Sequence, residues 1–375
     1  MGRRFDVECG AFAHGGFVVA RVPADVPELG GVVVFVRHAI PGEVVTAEIT
    51  EGAVGDRFLR ADAVAVLSAS PHRVEPPCPL ARPGLCGGCD LQHVAVEQQR
   101  ELKSGVVSEQ LRRVAGIDRD VEVLPLRPDE DGLRWRRRMR YHRLPDGRLG
   151  LRRHRSHELV PVDDCRIQAD DAVVLVEGEP PEQSTVAEQV GDHSFTVRAD
   201  GFWQPHRDAP GTYAETVLAF AGLRPGDRVA DLYAGVGLLS APLAAAVGES
   251  GAVLAVEGDR DAAALAEANL AAYPWVRVVS GDVAAVMADA DTSYDVVVLD
   301  PPRVGARRAV LERVVPLGAR TVVHVGCDPA AFARDAAILA EHGYVLVDLR
   351  AYDAFPMTHH VEVLGRFEVA PSNLS

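Results

Sequence analysis

From about residue 195 onward, six apolar runs alternate with alanine-rich stretches of helical character. The runs are RVADLY, AVLAVE, VRVVS, DVVVLD, TVVHVG and YVLVDLR. Strands spaced by helix-length segments predict a doubly wound, mostly parallel α/β sheet with helices on both faces. In such sheets ligands bind outside the carboxyl ends of the strands. The residues that end each strand are therefore the first candidates for chemistry.

The first run continues as VADLYAGVGLLSAPLAAA, which reads as strand, glycine turn and helix. Gly235 and Gly237 allow a ligand to approach the backbone, and the helix after them offers its N-terminus. Glu257 ends the next strand, 26 residues beyond Asp231, where an acid can bind both ribose hydroxyls of an adenosine. Gly281-Asp282 follows the third strand and is placed to contact an adenine edge. An acid at each of these strand ends around a G-x-G turn fits S-adenosylmethionine better than a dinucleotide. Asp300-Pro301-Pro302-Arg303 follows the fourth strand as a stiff loop at the same edge.

Cys327 follows TVVHVG, with Asp328-Pro329 as N-cap and first residue of a helix. A thiol at a helix N-terminus is expected to be acidified and to act as a nucleophile. Glu362, in FPMTHHVEVLGRFE, opens a final alternating strand and is the candidate base, with Asp353 and Glu368 as competitors.

The rest of the chain differs in kind. Residues 1–68 alternate short valine-rich runs with glycine turns, the pattern of a small β-barrel. Residues 69–194 open with the proline-rich SPHRVEPPCP, hold a helical stretch near 93–115 and read as loops at RPDEDG and EGEPPEQS. The remainder, 195–375, is the α/β region. The net charge of −15 argues against a nucleic-acid partner, but its distribution argues the other way. Ten arginines and a single aspartate, Asp146, fall between Arg134 and Arg155. Lys103 is the one lysine, so the basic chemistry is that of guanidinium forks, which suit phosphates and base edges.

No apolar run reaches the roughly 18 residues needed to span a bilayer, and no apolar stretch follows Arg3-Arg4. The expected compartment is the cytosol, where cysteines are more often metal-bound or catalytic than bridged. Cys78, Cys86 and Cys89 lie in CPLARPGLCGGC and Cys165 in VDDCRIQ. Such a set can bind zinc or an iron–sulfur cluster, and spacing does not discriminate between them. Cys9 is left over as a core residue.

These features together resemble the bacterial S-adenosylmethionine-dependent RNA uridine-5-methyltransferases, the group of the 23S ribosomal RNA and tRNA enzymes. HGGFVVARV with VVFVRHAIPGEVV looks like that family's TRAM domain, an oligonucleotide-binding (OB-like) barrel. DLYAGVG, VEGD, LDPPR, GCDPAAFARD and FPMTHHVE fall in the family's order and spacing, so the likeness covers nearly the whole chain. The implied fold is a Rossmann-like methyltransferase domain, a small N-terminal barrel and a central α+β region with the cysteine cluster.

The implied nucleophile is Cys327 and the implied base Glu362, with cofactor contacts at Gln204, Tyr233, Glu257, Asp282 and Asp300. The thiolate would add to carbon 6 of uracil, making carbon 5 nucleophilic, and the base would then remove the carbon 5 proton. Matching members carry a [4Fe-4S] cluster on CxxxxxCGGC and a later cysteine, which here are Cys78, Cys86, Cys89 and Cys165 with a seven-residue first spacer. Three positions depart from the family pattern: Ala234 replaces a cysteine, while Leu238 and His206 each replace an asparagine.

The expected partner is RNA, with 23S rRNA ahead of tRNA, and the expected state is a monomer away from membranes. A competing reading is a catalytically inactive RNA-binding protein with an iron–sulfur or zinc site. The presence of Cys327, Glu362 and DPPR weighs against it. An N-methyltransferase would call for an NPP-type loop and no thiol.

Overall fold

The computed structural model describes residues 2–128, 131–289 and 292–370. Asp129 and Glu130, within the RPDEDG loop, lie outside the described residues.

Six strands form the first sheet: β1 (Arg4–Glu8), β2 (Phe12–Ala13), β3 (Phe17–Arg21), β4 (Val33–Arg37), β5 (Val44–Glu51) and β6 (Phe58–Ser68). Their order is β1-β5-β6-β4-β3-β2. Alternate residues such as Val34, Val36, Val45 and Ala47 turn inward and are fully buried. Side chains from five of the strands share one core, which curls the sheet around itself. Cys9 belongs to this core.

A helix, α1 (Val96–Gln110), continues into a short π-helical turn over Leu111–Ala115 that Gly116 ends in the left-handed conformation. Next come β7 (Val123–Pro125), β8 (Arg136–Arg143), β9 (Leu149–Arg152), β10 (Leu159–Pro161) and β11 (Gln168–Val176). The last four make a sheet of order β10-β9-β8-β11. A hairpin, β12 (Thr185–Val190) with β13 (His193–Arg198), leads into the α/β region.

That region runs α2 (Ala209–Ala221), β14 (Arg228–Leu232), α3 (Ser240–Val247), β15 (Ala252–Glu257), α4 (Arg260–Asn269), β16 (Val276–Ser280), α5 (Val283–Ala288) and β17 (Val296–Leu299). It ends with α6 (Arg307–Val314), β18 (Thr321–Gly326), α7 (Pro329–Glu341), β19 (Tyr344–Asp353) and β20 (Glu362–Val369). The eight-stranded sheet has the order β16-β15-β14-β17-β18-β20-β19-β7. Strands β14 to β18 are mutually parallel, and those inside the edge strand β16 bury side chains on both faces in two cores.

The sheet is not wholly parallel, because β20 runs antiparallel to both β18 and β19. The connection from Asp353 to Glu362 is too short for a crossover, which takes a dozen or more residues, so the chain can only double back. The reversal brings the start of β20 to the carboxyl edge of β18. Gly326 of β18 pairs with Val363, one residue from Glu362.

Candidate active site

The glycine turn after β14 carries the first part of the site. Tyr233 has a positive φ of 68° and Gly235 one of 57°, so the chain turns sharply away from the strand. The Tyr233 and Ala234 amides both donate to the Val256 carbonyl. The Gly235 amide donates to Glu257 at 2.8 Å, and the Asp259 amide donates to the other carboxylate oxygen at 2.7 Å. The acid at the end of β15 is thus oriented by backbone alone. Asp282 caps α5 by accepting from the Ala285 amide at 3.0 Å.

Gln204, Tyr233, Glu257 and Asp282 line one cleft of about 1070 Å³, and Asp300, Cys327 and Glu362 line the same cleft. The cleft was expected at the carboxyl ends of the strands, and it lies there.

Its floor is acidic. Asp231, at the end of β14, accepts from the Ser240 hydroxyl, while its Oδ1 is buried without a partner. Burial and the charge of Glu257 push the Asp231 carboxyl up to about 6. Asp300 is pushed to about 7 by burial and by Asp231. The sequence marks Asp231 as the acid that precedes the glycine turn, but its complete burial and its pairing with Asp300 are set by the fold. A fully buried carboxyl with an orphaned oxygen beside a half-buried one that opens on the cleft fits a cationic ligand such as a sulfonium with its α-amino group.

Cys327 is half-buried and follows β18 directly. The expected acidification is not found. The thiol is pushed up to about 12, first by burial and then by Glu362, Asp300 and Asp328 against an opposing effect of Arg303. The physical reason is local. The thiol is taken out of water, Asp328 occupies the cap position with its Oδ1 accepting from the Ala331 amide at 2.8 Å, and the nearby carboxyl groups act in the same direction as burial.

Glu362 is buried, and the Tyr213 hydroxyl from α2 donates to it at 3.3 Å. Its proton affinity is raised well above the ordinary carboxylate range, by burial and then by Asp300. The two competing acids are elsewhere. Asp353 is buried against Lys103 at 2.5 Å, and Glu368 pairs opposite Thr321, at the far end of β18. Tyr213 was not foreseen, since a tyrosine on an amphipathic helix has no distinguishing neighbour in sequence.

The DPPR loop is anchored from α7. Asp335 accepts from the amides of Ala306 and Arg307 at 2.7 and 3.1 Å and meets His324 Nε2 at 2.9 Å. This leaves Arg303 facing the cleft beside His360, 3.1 Å away. His206, a departure from the family pattern, is fully buried and stacks on Trp135 with ring centres 5.6 Å apart. Its place in the fold is packing. Leu238, another departure, lines the cleft.

The arginine-rich stretch behaves differently from its appearance. Eight of its ten arginines pair with the chain's own acids, for example Arg137 and Arg138 with Glu188, Arg143 with Glu179 and Arg155 with Glu51. Among the described residues Arg136 and Arg152 have no carboxylate partner. Arg136 lines the cleft, and its guanidinium lies within electrostatic reach of Cys165, Cys89 and Arg303.

None of the cysteines is in a disulfide. Cys86 is raised by burial and by Cys165 and Cys78, and Cys89 by burial and by Cys165 and Cys86. The four thiols therefore feel one another. Yet among the described residues no three His, Cys, Asp or Glu side chains lie close enough to hold a metal ion. No described helix is long and apolar enough to cross a membrane.

A Rossmann-like sheet with an acidic cleft of about 1070 Å³ at its strand ends, preceded by a small β-barrel, has the architecture of a methyltransferase. Comparison with known proteins agrees. Residues 1–64 match the TRAM domain and residues 216–326 the methyltransferase small domain. An uncharacterized RNA methyltransferase of Streptomyces avermitilis is 40% identical, covering 100% of both chains. The 23S rRNA (uracil(1939)-C(5))-methyltransferase RlmD of Acinetobacter baumannii (strain SDF) is 28% identical over 89% of each chain. The structure of Pyrococcus abyssi tRNA (uracil-54, C5)-methyltransferase with S-adenosyl-L-homocysteine shares the fold. Its TM-score is 0.65 at 19% identity, over 92% of this chain and 98% of that one. The chain belongs to the S-adenosylmethionine-dependent RNA methyltransferases with an N-terminal TRAM domain, the family that includes the uracil-C5 enzymes.

Proposed function

We propose that this enzyme methylates carbon 5 of one uridine in RNA through a covalent adduct with Cys327. The observation that carries this reading is the meeting of Cys327 and Glu362 across one cleft, where the glutamate adds to the thiol's hold on its proton. Ribosomal RNA is the favoured substrate because it is named for a relative similar in sequence over most of the chain, whereas tRNA is named for a neighbour in fold.

Bound S-adenosylmethionine supplies the methyl group as a sulfonium. Glu257 would take its ribose, Asp282 its adenine edge, and Asp300, Tyr233 and Gln204 its remaining polar groups. The Cys327 thiol gives its proton to solvent water as Sγ bonds to carbon 6 of uracil. Carbon 5 gains the electron density it needs to take the methyl group. Glu362 must enter the last step as a carboxylate, accept the carbon 5 proton and allow the carbon–sulfur bond to break. Its raised proton affinity makes it a strong acceptor there.

The four cysteines are assigned to a [4Fe-4S] cluster of structural role. The choice of a cluster over zinc rests on the resemblance of the CxxxxxxxCGGC pattern and later cysteine to the family's cluster motif. Arg136 supports the same reading, because a half-buried guanidinium beside Cys165 and Cys89, without a carboxylate among the described residues, calls for an anionic neighbour. Iron analysis of anaerobically purified protein checks it, and zinc without iron would refute it. Cys86→Ser is expected to lower stability and iron content together.

The decisive test uses RNA and denaturing gels. Cys327→Ala should form no adduct and no 5-methyluridine. Glu362→Gln should accumulate a methylated covalent complex, since attack and transfer precede the blocked proton removal. A Glu362→Gln enzyme with normal turnover would remove that residue from the mechanism. An adduct formed by Cys327→Ala would refute the thiolate scheme.

A further inference from the structure

The barrel touches side chains that neighbour the catalytic residues in the chain. His14, in the turn between β2 and β3, places Nε2 at 2.9 Å from Asp328 Oδ2. Asp328 follows Cys327, and its other oxygen caps α7 through the Ala331 amide. A cap needs only one carboxylate oxygen. The second is taken by a residue 314 positions away in the chain.

The same turn presses on the segment that leads to Glu362. At Gly16, with φ of +81°, a Cβ atom would come to 3.0 Å from the Cβ of His359. His359 Nδ1 in turn meets Asp90 at 2.6 Å, and Asp90 lies 3.8 Å from Arg37 at the end of β4. The barrel thus reaches both Asp328, next to Cys327, and His359, three residues before Glu362.

We propose that His14 is a positioning residue: by holding Asp328 it fixes the backbone that presents Cys327, and so registers RNA engaged on the barrel with the nucleophile. The proposal rests on the uridine-adduct reading above. A partly exposed ion pair adds little to stability, so the contact is poorly explained as a fastening. Geometry is the larger effect, because a misplacement of about 1 Å in a reacting group costs on the order of 100-fold in rate.

The experiment measures single-turnover adduct formation between the full-length protein and RNA containing 5-fluorouridine, at saturating RNA and S-adenosylmethionine. His14→Ala should slow adduct formation about tenfold or more, with RNA affinity and melting temperature unchanged. His14→Gln, which keeps a donor, should recover much of the rate. In an Asp328→Asn background, which keeps the cap acceptor, His14→Ala should have a smaller effect than in the wild type.

A His14→Ala protein with wild-type adduct rate overturns the proposal. So does one whose defect disappears at saturating RNA, or one that His14→Gln does not rescue and whose melting temperature falls. If the wild type itself forms no adduct with ribosomal or transfer RNA, the adduct reading fails, and that failure is distinct from a variant that matches an active wild type.

Discussion

The arginine ribbon at 134–155 and the acidic floor of the cleft carry opposite charges and have met opposite fates. The ribbon is the most conspicuous charge run in the chain, yet eight of its ten guanidinium groups are matched by carboxylates of the protein. The floor is inconspicuous, one aspartate at the end of each of two strands, yet one carboxyl is fully buried, the other half-buried beside it, and neither has a cationic partner of the chain among the described residues. Charge density along a sequence is therefore a poor measure of charge available to a ligand. What matters is whether the fold supplies a counter-ion before the ligand arrives.

The sharpest way to break this contrast is to remove one of these acids. Asp300→Asn should weaken S-adenosylmethionine binding about 30-fold or more, because losing one partner of a desolvated charge pair typically costs about 2–5 kcal/mol. The same change should raise the melting temperature of the free protein at about pH 8, since it relieves two crowded acids. Calorimetric titration and thermal melts of the variant read both effects. Unchanged affinity would show that the floor does not serve the cofactor.

A smaller effect follows from the direction of the shifts. Asp231 and Asp300 hold protons more tightly in the folded chain than the ordinary carboxyl value of about 4. Their contribution to stability is fully present below about pH 4 and is lost as pH rises through about 6 to 7. A cationic cofactor acts in the opposite sense, because it binds the ionised pair. The rise in melting temperature on adding S-adenosylmethionine should therefore be greater at about pH 8 than at about pH 6. A shift that is flat over this range, or larger at the acid end, would count against cation recognition by these acids.

The smallest effect concerns the ribbon. Arg152→Gln removes an exposed guanidinium without a carboxylate partner among the described residues, and Arg143→Gln removes one held by Glu179. If Arg152 contacts phosphate, the first change should weaken RNA binding severalfold and reduce the salt slope by about 0.7. The second should leave both nearly unchanged. Equal losses from the two variants would mean that RNA outcompetes the internal pairs, and the contrast would collapse.

The α/β architecture, the site edge and the residues gathered there were all legible in the chain, for a simple reason. Strand ends, glycine turns and helix caps are local, so Tyr233, Glu257, Asp282, Asp300 and Cys327 could be placed from spacing and resemblance before any coordinate was known. The reversal of β20 was equally local in cause, but its consequence was not: it carries Glu362 to within one residue of the partner of Gly326.

What only the tertiary structure decided is the environment of those groups. The thiol of Cys327 is raised rather than acidified because the fold buries it, and because Glu362, Asp300 and Asp328 converge on it from separate segments. Tyr213 reaches Glu362 from α2 across 149 positions, and His14 reaches Asp328 from the barrel across 314. Proton affinity and ion pairing depend on burial and on charges a few ångströms away in space. Such neighbours come from anywhere in the chain, so a sequence names the groups that react while the packed fold sets how they react.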